Sequence, residues 1–311
     1  MAGVTAPQRL VQKARMLQGI RAFFDGLGFL EVDTPLLDAA TNPDPQVQSV
    51  EARVNGRRCH LQTSPEFAMK RLLAAGSGSI YQIAHAFRDE EQGRRHRAEF
   101  LLLEWYAVGL DYRQLMDQVE ALIRHLWPQA GRFERLAYVE AFERHAGLNP
   151  LDAPLERLRK ASAEAAAGIN GSALSRDDCL DLLMSVVVAP ALEGFVFIHD
   201  YPASQAALAR LKADDPRLAE RFELYFGDLE LANGFGELTD AAEQRARFAA
   251  DNAERARRGL PVYPLDEAFL AALEQGLPSC SGVALGLDRL LMAMTGSRDI
   301  AEVQSLPPFE G

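Results

Sequence analysis

Cysteine is scarce in this chain. The three present, Cys59, Cys179 and Cys280, lie far apart and form no C-x-x-C pair. That argues against a disulfide framework or a zinc site, and a reducing compartment, the cytoplasm, is the expectation. Positive charge is in deficit: 33 Lys and Arg against 44 Asp and Glu leave a net charge of −11. Proteins of bulk nucleic acid show a basic face or excess, so stable nucleic-acid binding is not expected. The acidic balance suits a cationic substrate or a basic partner better. No apolar run reaches the length of a membrane span, and the first twenty residues hold no continuous apolar stretch, so neither a membrane segment nor a signal peptide is expected. Neither a Walker A sequence nor a dinucleotide fingerprint is present, which withdraws support from doubly wound nucleotide folds.

What is there is ordinary globular material: 311 residues, 48% of them hydrophobic, enough for one large core or two small ones. Val11, Ala14, Leu17, Ile20, Phe23, Phe24 and Leu27 recur at helical spacing, and Gly28 closes that helix. FLEVDTPLL reads as a short strand ended by Pro35, and residues 42–58 as a loop and hairpin. Residues 64–76 read as a helix started by Ser64 and stopped at Gly76. SIYQIAHAFRDEE and EFLLLEWYAVGL are strand-like and joined by the basic QGRRHRA. From 112 to about 190 the pattern is helical, with loops near Pro128 and over 147–154. GFVFIHDYP is a strand, and ELYFGDLELANGF alternates like a hairpin across Gly227 and Asp228. Asp240 and Glu243 have capping-box spacing at the start of a helix that runs to Gly259. CSGVALGLDRLLMAMTG passes from strand to helix. Antiparallel strands separated by helical blocks predict an α+β fold.

Side chains alternate faces along a strand. Tyr81, Ile83, His85 and Phe87 therefore share one face of the first strand of the hairpin over 80–107. Leu101, Leu103 and Trp105 share one face of the second. The opposite side carries Arg88, Glu90, Glu104 and Tyr106, with Phe100 beside them. Such a side is either a solvated sheet face or a pocket floor. An arginine on rigid backbone suits bidentate phosphate recognition. The loop between the strands adds Arg94, Arg95, His96 and Arg97, either a solvated basic loop or a cationic flap over a polyphosphate. Arg289 falls in the first turn of the last helix, where anions are favoured, and Gly282 and Gly286 precede it. An Asp288 cap beside an exposed arginine is the plainer alternative there.

With these residues in view, the chain resembles the catalytic domain of class II aminoacyl-tRNA synthetases. GFLEVDTPLL is similar to motif 1, YQIAHAFRDEEQGRRHRAEFLLLEWY to motif 2 and GVALGLDRLL to motif 3. TSPEFAMKRLL and ELANGFGELTDAAEQRARF narrow the likeness to the lysyl type. Motif 1 begins about thirty residues in, which leaves no room for the anticodon-binding OB domain of the lysyl enzyme. Ala284 stands where that enzyme has a motif 3 glycine. Both features resemble the free-standing paralogues of the lysyl enzyme that act on translation elongation factor P.

The resemblance implies one catalytic domain over 1–311, an antiparallel sheet flanked by helices, paired into a homodimer through the motif 1 helix and strand. It implies ATP and Mg²⁺, with Arg88 on the α-phosphate, Arg289 on the γ-phosphate and Phe100 stacked on adenine. Asp89, Glu90, His96, Arg97, Leu231 and Gly286 would complete the ATP site, and Glu230 with Glu223 would carry the metal. The substrate, (R)-β-lysine, would be held by Ser64, Pro65, Glu66, Glu104, Tyr106, Asn233, Glu237 and Ala284. Carboxylates dominate that set because the substrate carries two ammonium groups, which are costly to bury unpaired. The acceptor would be a lysine of elongation factor P. Arg97 departs from the family's asparagine, so a side-chain contact to ATP there would differ. The alternatives are a truncated lysyl-tRNA synthetase, a non-catalytic lysine-binding paralogue, and an amide-forming synthetase that uses a small acceptor such as ammonia.

Overall fold

The computed structural model describes residues 6–89, 93–166 and 168–305. The chain runs α1 (Ala6–Leu27), β1 (Leu30–Glu31), β2 (Leu37–Asp38), β3 (Glu51–Val54), β4 (Arg57–Leu61), α2 (Glu66–Ala74), β5 (Ile80–Phe87), β6 (Glu99–Val108) and α3 (Tyr112–Leu126). It continues through β7 (Phe133–Ala137), α4 (Tyr138–Ala146), α5 (Leu155–Ala165), α6 (Arg176–Leu183), β8 (Phe195–Pro202), β9 (Leu218–Phe226) and β10 (Leu229–Gly236). α7 (Ala241–Arg257), α8 (Glu267–Gly276), β11 (Cys280–Gly286) and α9 (Leu287–Thr295) complete it.

Eight strands form one sheet in the order β1-β5-β6-β11-β10-β9-β8-β7. Its interior pairs are antiparallel, and parallel pairs close both edges, β1 on β5 and β7 on β8. This is the α+β arrangement expected, a largely antiparallel sheet with helices on both faces. β2, β4 and β3 make a separate small sheet. Its hairpin turns at Asn55 and Gly56, both at positive φ, as a two-residue turn requires. Among the described residues no helix is long and apolar enough to cross a membrane.

The alternation read in β5 and β6 sets what the sheet covers. Tyr81, Leu101, Leu103 and Trp105 face α1 and α3, where Phe24 stacks on Tyr81 at 4.5 Å between ring centres. Trp105 is fully buried, and its indole donates to Gln118 Oε1 at 2.7 Å. Truncating it to alanine would cost about 3–5 kcal/mol. α2, α7 and α8 build a second cluster around Met69, Phe248 and Phe269 on the other face. α4 and α6 build a third over β8.

Several expectations change in extent. FLEVDTPLL yields only the two-residue strands β1 and β2, because Pro35 interrupts a single run. The stretch read as helical from 112 contains β7, an edge strand whose five residues are too few for a clear period. α8 goes beyond the reading as well. Asp240 accepts from the Glu243 amide at 2.9 Å, but the Glu243 carboxylate turns to Arg247 and leaves the box half made. Asp288 is not the cap of α9: it is buried, taking the Leu101 amide and Lys13, each at 3.0 Å.

Candidate active site

Strand register brings the polar side chains together. Gln82 lies opposite Glu104, Glu104 opposite Ala284, Ala284 opposite Asn233 and Asn233 opposite Glu223. Directly paired residues share a face, so one row of side chains crosses five strands. Two residues along, Tyr106 lies opposite Gly282 and Gly282 opposite Phe235. Glu104, Ala284 and Asn233 of the first row and all three residues of the second floor a cavity of about 1030 Å³. The pocket reading of this sheet face therefore prevails over the solvated one.

A register shift between Glu230 and Ala232 makes Leu231 an extra residue in β10. Strict alternation would put Glu230 and Asn233 on opposite faces. The bulge brings both onto the cavity face and sends the Leu231 side chain into the core.

One end of the cavity is acidic and buried. Glu66 enters from the first turn of α2; its amide donates to Ser64 Oγ at 3.3 Å, and Pro65 precedes it. Glu104 accepts from the Tyr106 hydroxyl through Oε1 at 2.6 Å. Its Oε2 and both oxygens of Glu237 are buried without a hydrogen-bond donor of good geometry among the described residues. Lys70 Nζ lies 2.5 Å from Glu66 Oε1 and 2.6 Å from Glu237 Oε2. Burial works against the Lys70 charge, but Glu237 and Glu66 outweigh it and hold the ammonium protonated. Burial pushes Glu104 up to about 8, with the charge of Glu66 adding to it. Glu237 is pushed up to about 7, burial winning over its attraction to Lys70. Any side chain at Gly282 would run into the Tyr106 ring and Glu237 Oε1. Asn233 is not in a turn: it sits inside β10, and the next residue is glycine because the Phe222 ring lies over it.

The other end is cationic. Arg88 follows β5 and lies over the Phe100 ring at 5.1 Å, with Asp89 next in the chain and its amide bonded to the Gln48 carbonyl at 2.8 Å. Arg289 reaches in from α9, donating to the Glu230 carbonyl at 3.1 Å, with Glu230 Oε2 at 3.6 Å. Residues 93–97 of the connection between β5 and β6 are clasped rather than loose. Arg95 pairs with Asp228 at 2.7 Å, the Arg94 carbonyl takes the Ile300 amide at 2.8 Å, and Gly93 and His96 bridge each other. The Arg97 guanidinium is committed to the Gly93 and His96 carbonyls and reaches Asp299 at 3.4 Å. Glu90 lies outside the described residues. A Cβ at Gly286 would meet only ordinary contacts, the nearest Arg289 at 3.7 Å. The protein itself does not need a glycine there.

Between the two ends lies a pair of groups of which the sequence reading took only one. Arg221 donates to Glu223 Oε1 at 2.5 Å, to the Gln205 carbonyl at 2.6 Å and to Asn233 Oδ1 at 3.3 Å, and stacks on Tyr201. Glu223 Oε2 accepts from the hydroxyls of Tyr201 and Tyr225, each at 2.6 Å. Both Glu223 oxygens are thus engaged by protein donors, while the Glu230 side chain is 41% exposed at the cavity. Among the described residues no three Asp, Glu, His or Cys side chains converge as a metal cluster. A lone accessible carboxylate fits Mg²⁺ only where phosphate oxygens supply further ligands. Arg221 could have been found from its alternation with Glu223 and Tyr225, and Lys70 from its spacing of four from Glu66.

Residues 4–310 match the family described as tRNA synthetases class II (D, K and N). A protein of Vibrio vulnificus named elongation factor P–(R)-beta-lysine ligase is 46% identical over 309 residues, covering 96% of this chain and 95% of the relative. A protein of Proteus mirabilis with the same name is also 46% identical, with the same coverage. One of Yersinia enterocolitica, again so named, is 45% identical over 96% of this chain and 94% of its own length.

Proposed function

We propose a function from one premise: this chain belongs to the tRNA synthetases of class II (D, K and N). It is an ATP-dependent ligase that activates (R)-β-lysine as an acyl-adenylate and transfers it to a lysine side chain of translation elongation factor P. Relatives named elongation factor P–(R)-beta-lysine ligase match this chain nearly end to end. The observation that carries the reading is the pairing of ends in one cavity: two arginines from separate segments at one, and the buried carboxyl groups of Glu104 and Glu237 at the other. An ammonium supplies only donors, and a diamino acid supplies two ammoniums.

In the first step a carboxylate oxygen of the substrate attacks the α-phosphorus of ATP. The bond to the β-phosphate oxygen breaks and pyrophosphate leaves. Arg88 and Arg289 hold the phosphates in line and offset the charge that spreads over their oxygens. Phe100 offers its ring to adenine, beside Asp89, His96 and Arg97, and the small Gly286 lets the nucleotide approach β11. Mg²⁺, when bound with the nucleotide, neutralises phosphate charge; Glu230 would hold it, with Glu223 braced behind by Arg221 and the two tyrosines. In the second step the deprotonated ε-amine of the acceptor attacks the acyl carbon. An amide forms, its nitrogen gives up one proton to water or a phosphate oxygen, and AMP leaves with the bonding pair.

Leu10, Val11 and Leu27 of α1 and Leu30 of β1 are all about half exposed. These exposed apolar side chains are where the homodimer contact is proposed, to be checked by sedimentation. A tRNA-charging reading has less support, given the net charge of −11. ATP–pyrophosphate exchange tests the proposal. Exchange stimulated by (R)-β-lysine well above that with α-lysine supports it; exchange only with α-lysine, together with lysylation of tRNA, overturns it.

A further inference from the structure

Lys70 has no part in the chemistry above, yet it is only 1% exposed and touches two of the three carboxyl groups described at the acidic end, Glu66 and Glu237. The rings of Tyr106 and Phe269 flank its ammonium, each 5.9 Å away. A methionine of similar length would fill this space without the cost of burying a charge. Resting on the proposed function, we propose that Lys70 is a positioning residue that sets the charge of the amino-acid pocket, orienting Glu66 and Glu237 and selecting a substrate with two ammonium groups.

The count is direct. Glu66, Glu104 and Glu237 with Lys70 leave two net negative charges when all are ionised, the number that the two ammonium groups of a diamino acid neutralise. The oxygens divide the same way. Glu66 Oε1 and Glu237 Oε2 face Lys70, whereas Glu237 Oε1 and Glu104 Oε2 are left for the ligand. Without Lys70 the carboxyls would hold their protons to still higher pH, against the charge that the ligand needs. A protonated carboxyl donates as well as accepts, so it no longer favours an ammonium over a hydroxyl. The other groups around this cluster do not replace the lysine. Arg210 is engaged with Glu220 at 2.7 Å. Burial pushes the Cys280 thiol up to about 12, so it stays neutral. Burial likewise raises the Tyr106 hydroxyl far above its usual range.

The test compares wild type, Lys70→Met, Glu237→Gln and the double variant Lys70→Met/Glu237→Gln, each first melted to check folding. Pyrophosphate exchange is measured against (R)-β-lysine concentration and pH. Lys70→Met should raise KM on the order of a hundredfold, as expected when one partner of a buried pair is removed, with kcat changed far less. The acid limb of its kcat/KM profile should move to higher pH, because the carboxylates lose the cation that favours their charge. The double variant returns the pocket to two negative charges and should bind (R)-β-lysine more tightly than either single variant. Wild-type KM and pH limb in Lys70→Met would overturn the inference. So would losses that simply add in the double variant, or the failure of both Lys70 variants to fold, since the lysine would then serve the fold alone. If wild type exchanges with no diamino acid, the proposed function itself fails; if wild type is active, only the role of Lys70 is at stake.

Discussion

Ala284 lies directly opposite Glu104 across the ladder between β11 and β6. Directly opposed side chains on one face stand about 5 Å apart at Cβ. The Ala284 methyl group therefore stands beside a buried carboxylate, with Asn233 on its other side. Moving a substrate amine from the α to the β carbon changes where its ammonium falls on this row. Ala284→Gly should narrow the preference for (R)-β-lysine over α-lysine about tenfold, one methyl group being worth about 1–3 kcal/mol of discrimination. Pyrophosphate exchange with both amino acids measures it, and an unchanged ratio assigns Ala284 to packing alone.

The two glycines of β11 should behave differently. Gly282→Ala puts a methyl group into the Tyr106 ring and Glu237 Oε1, so it should raise KM for the amino acid and lower the melting temperature. Gly286→Ala meets only ordinary contacts. It should melt like wild type and raise KM for ATP. Melting curves with separate KM values for the two substrates distinguish them.

Arg88→Ala and Arg289→Ala should each lower kcat for exchange about 10²–10³-fold, the usual loss when one preorganised charge donor is removed. Glu230→Gln should raise the Mg²⁺ concentration needed for half-maximal rate and leave KM for the amino acid near wild type. Titration of Mg²⁺ at saturating ATP checks it.

Glu104 and Glu237 are raised to about 8 and about 7 in the empty site. A folded carboxyl above its unfolded value of 4.5 binds more protons than the unfolded chain, so this stability is present below about 4.5 and is lost as pH rises from there through 7 to 8. Binding of a diammonium substrate favours the ionised carboxylates and runs the other way. The melting temperature of the free protein should fall between pH 6 and 8.5, and the increase produced by (R)-β-lysine should grow over the same range. Glu104→Gln should flatten both trends.

Much of this was legible in the sequence because strand alternation is a strong code. The faces of β5 and β6, the hairpin at Gly227 and the entry of Arg289 at the start of α9 follow from spacing alone. Four features do not. The bulge at Leu231 breaks the period that would have placed Glu230. The pairing of Lys70 with Glu237 joins residues far apart in the chain, and only the docking of α2 against the end of β10 shows it. The contacts of Arg221 with the Gln205 carbonyl and Asn233 come only from the fold, although its alternation with Glu223 and Tyr225 marks its face. The short β7 carries too few residues to announce a period at all.

The most direct measurement is the intact and peptide mass of purified elongation factor P after incubation with this protein, ATP and (R)-β-lysine. One added lysyl residue on a single lysine side chain, dependent on ATP and lost with Arg88→Ala, is the result expected. An unmodified elongation factor P under conditions where pyrophosphate exchange proceeds would contradict the account.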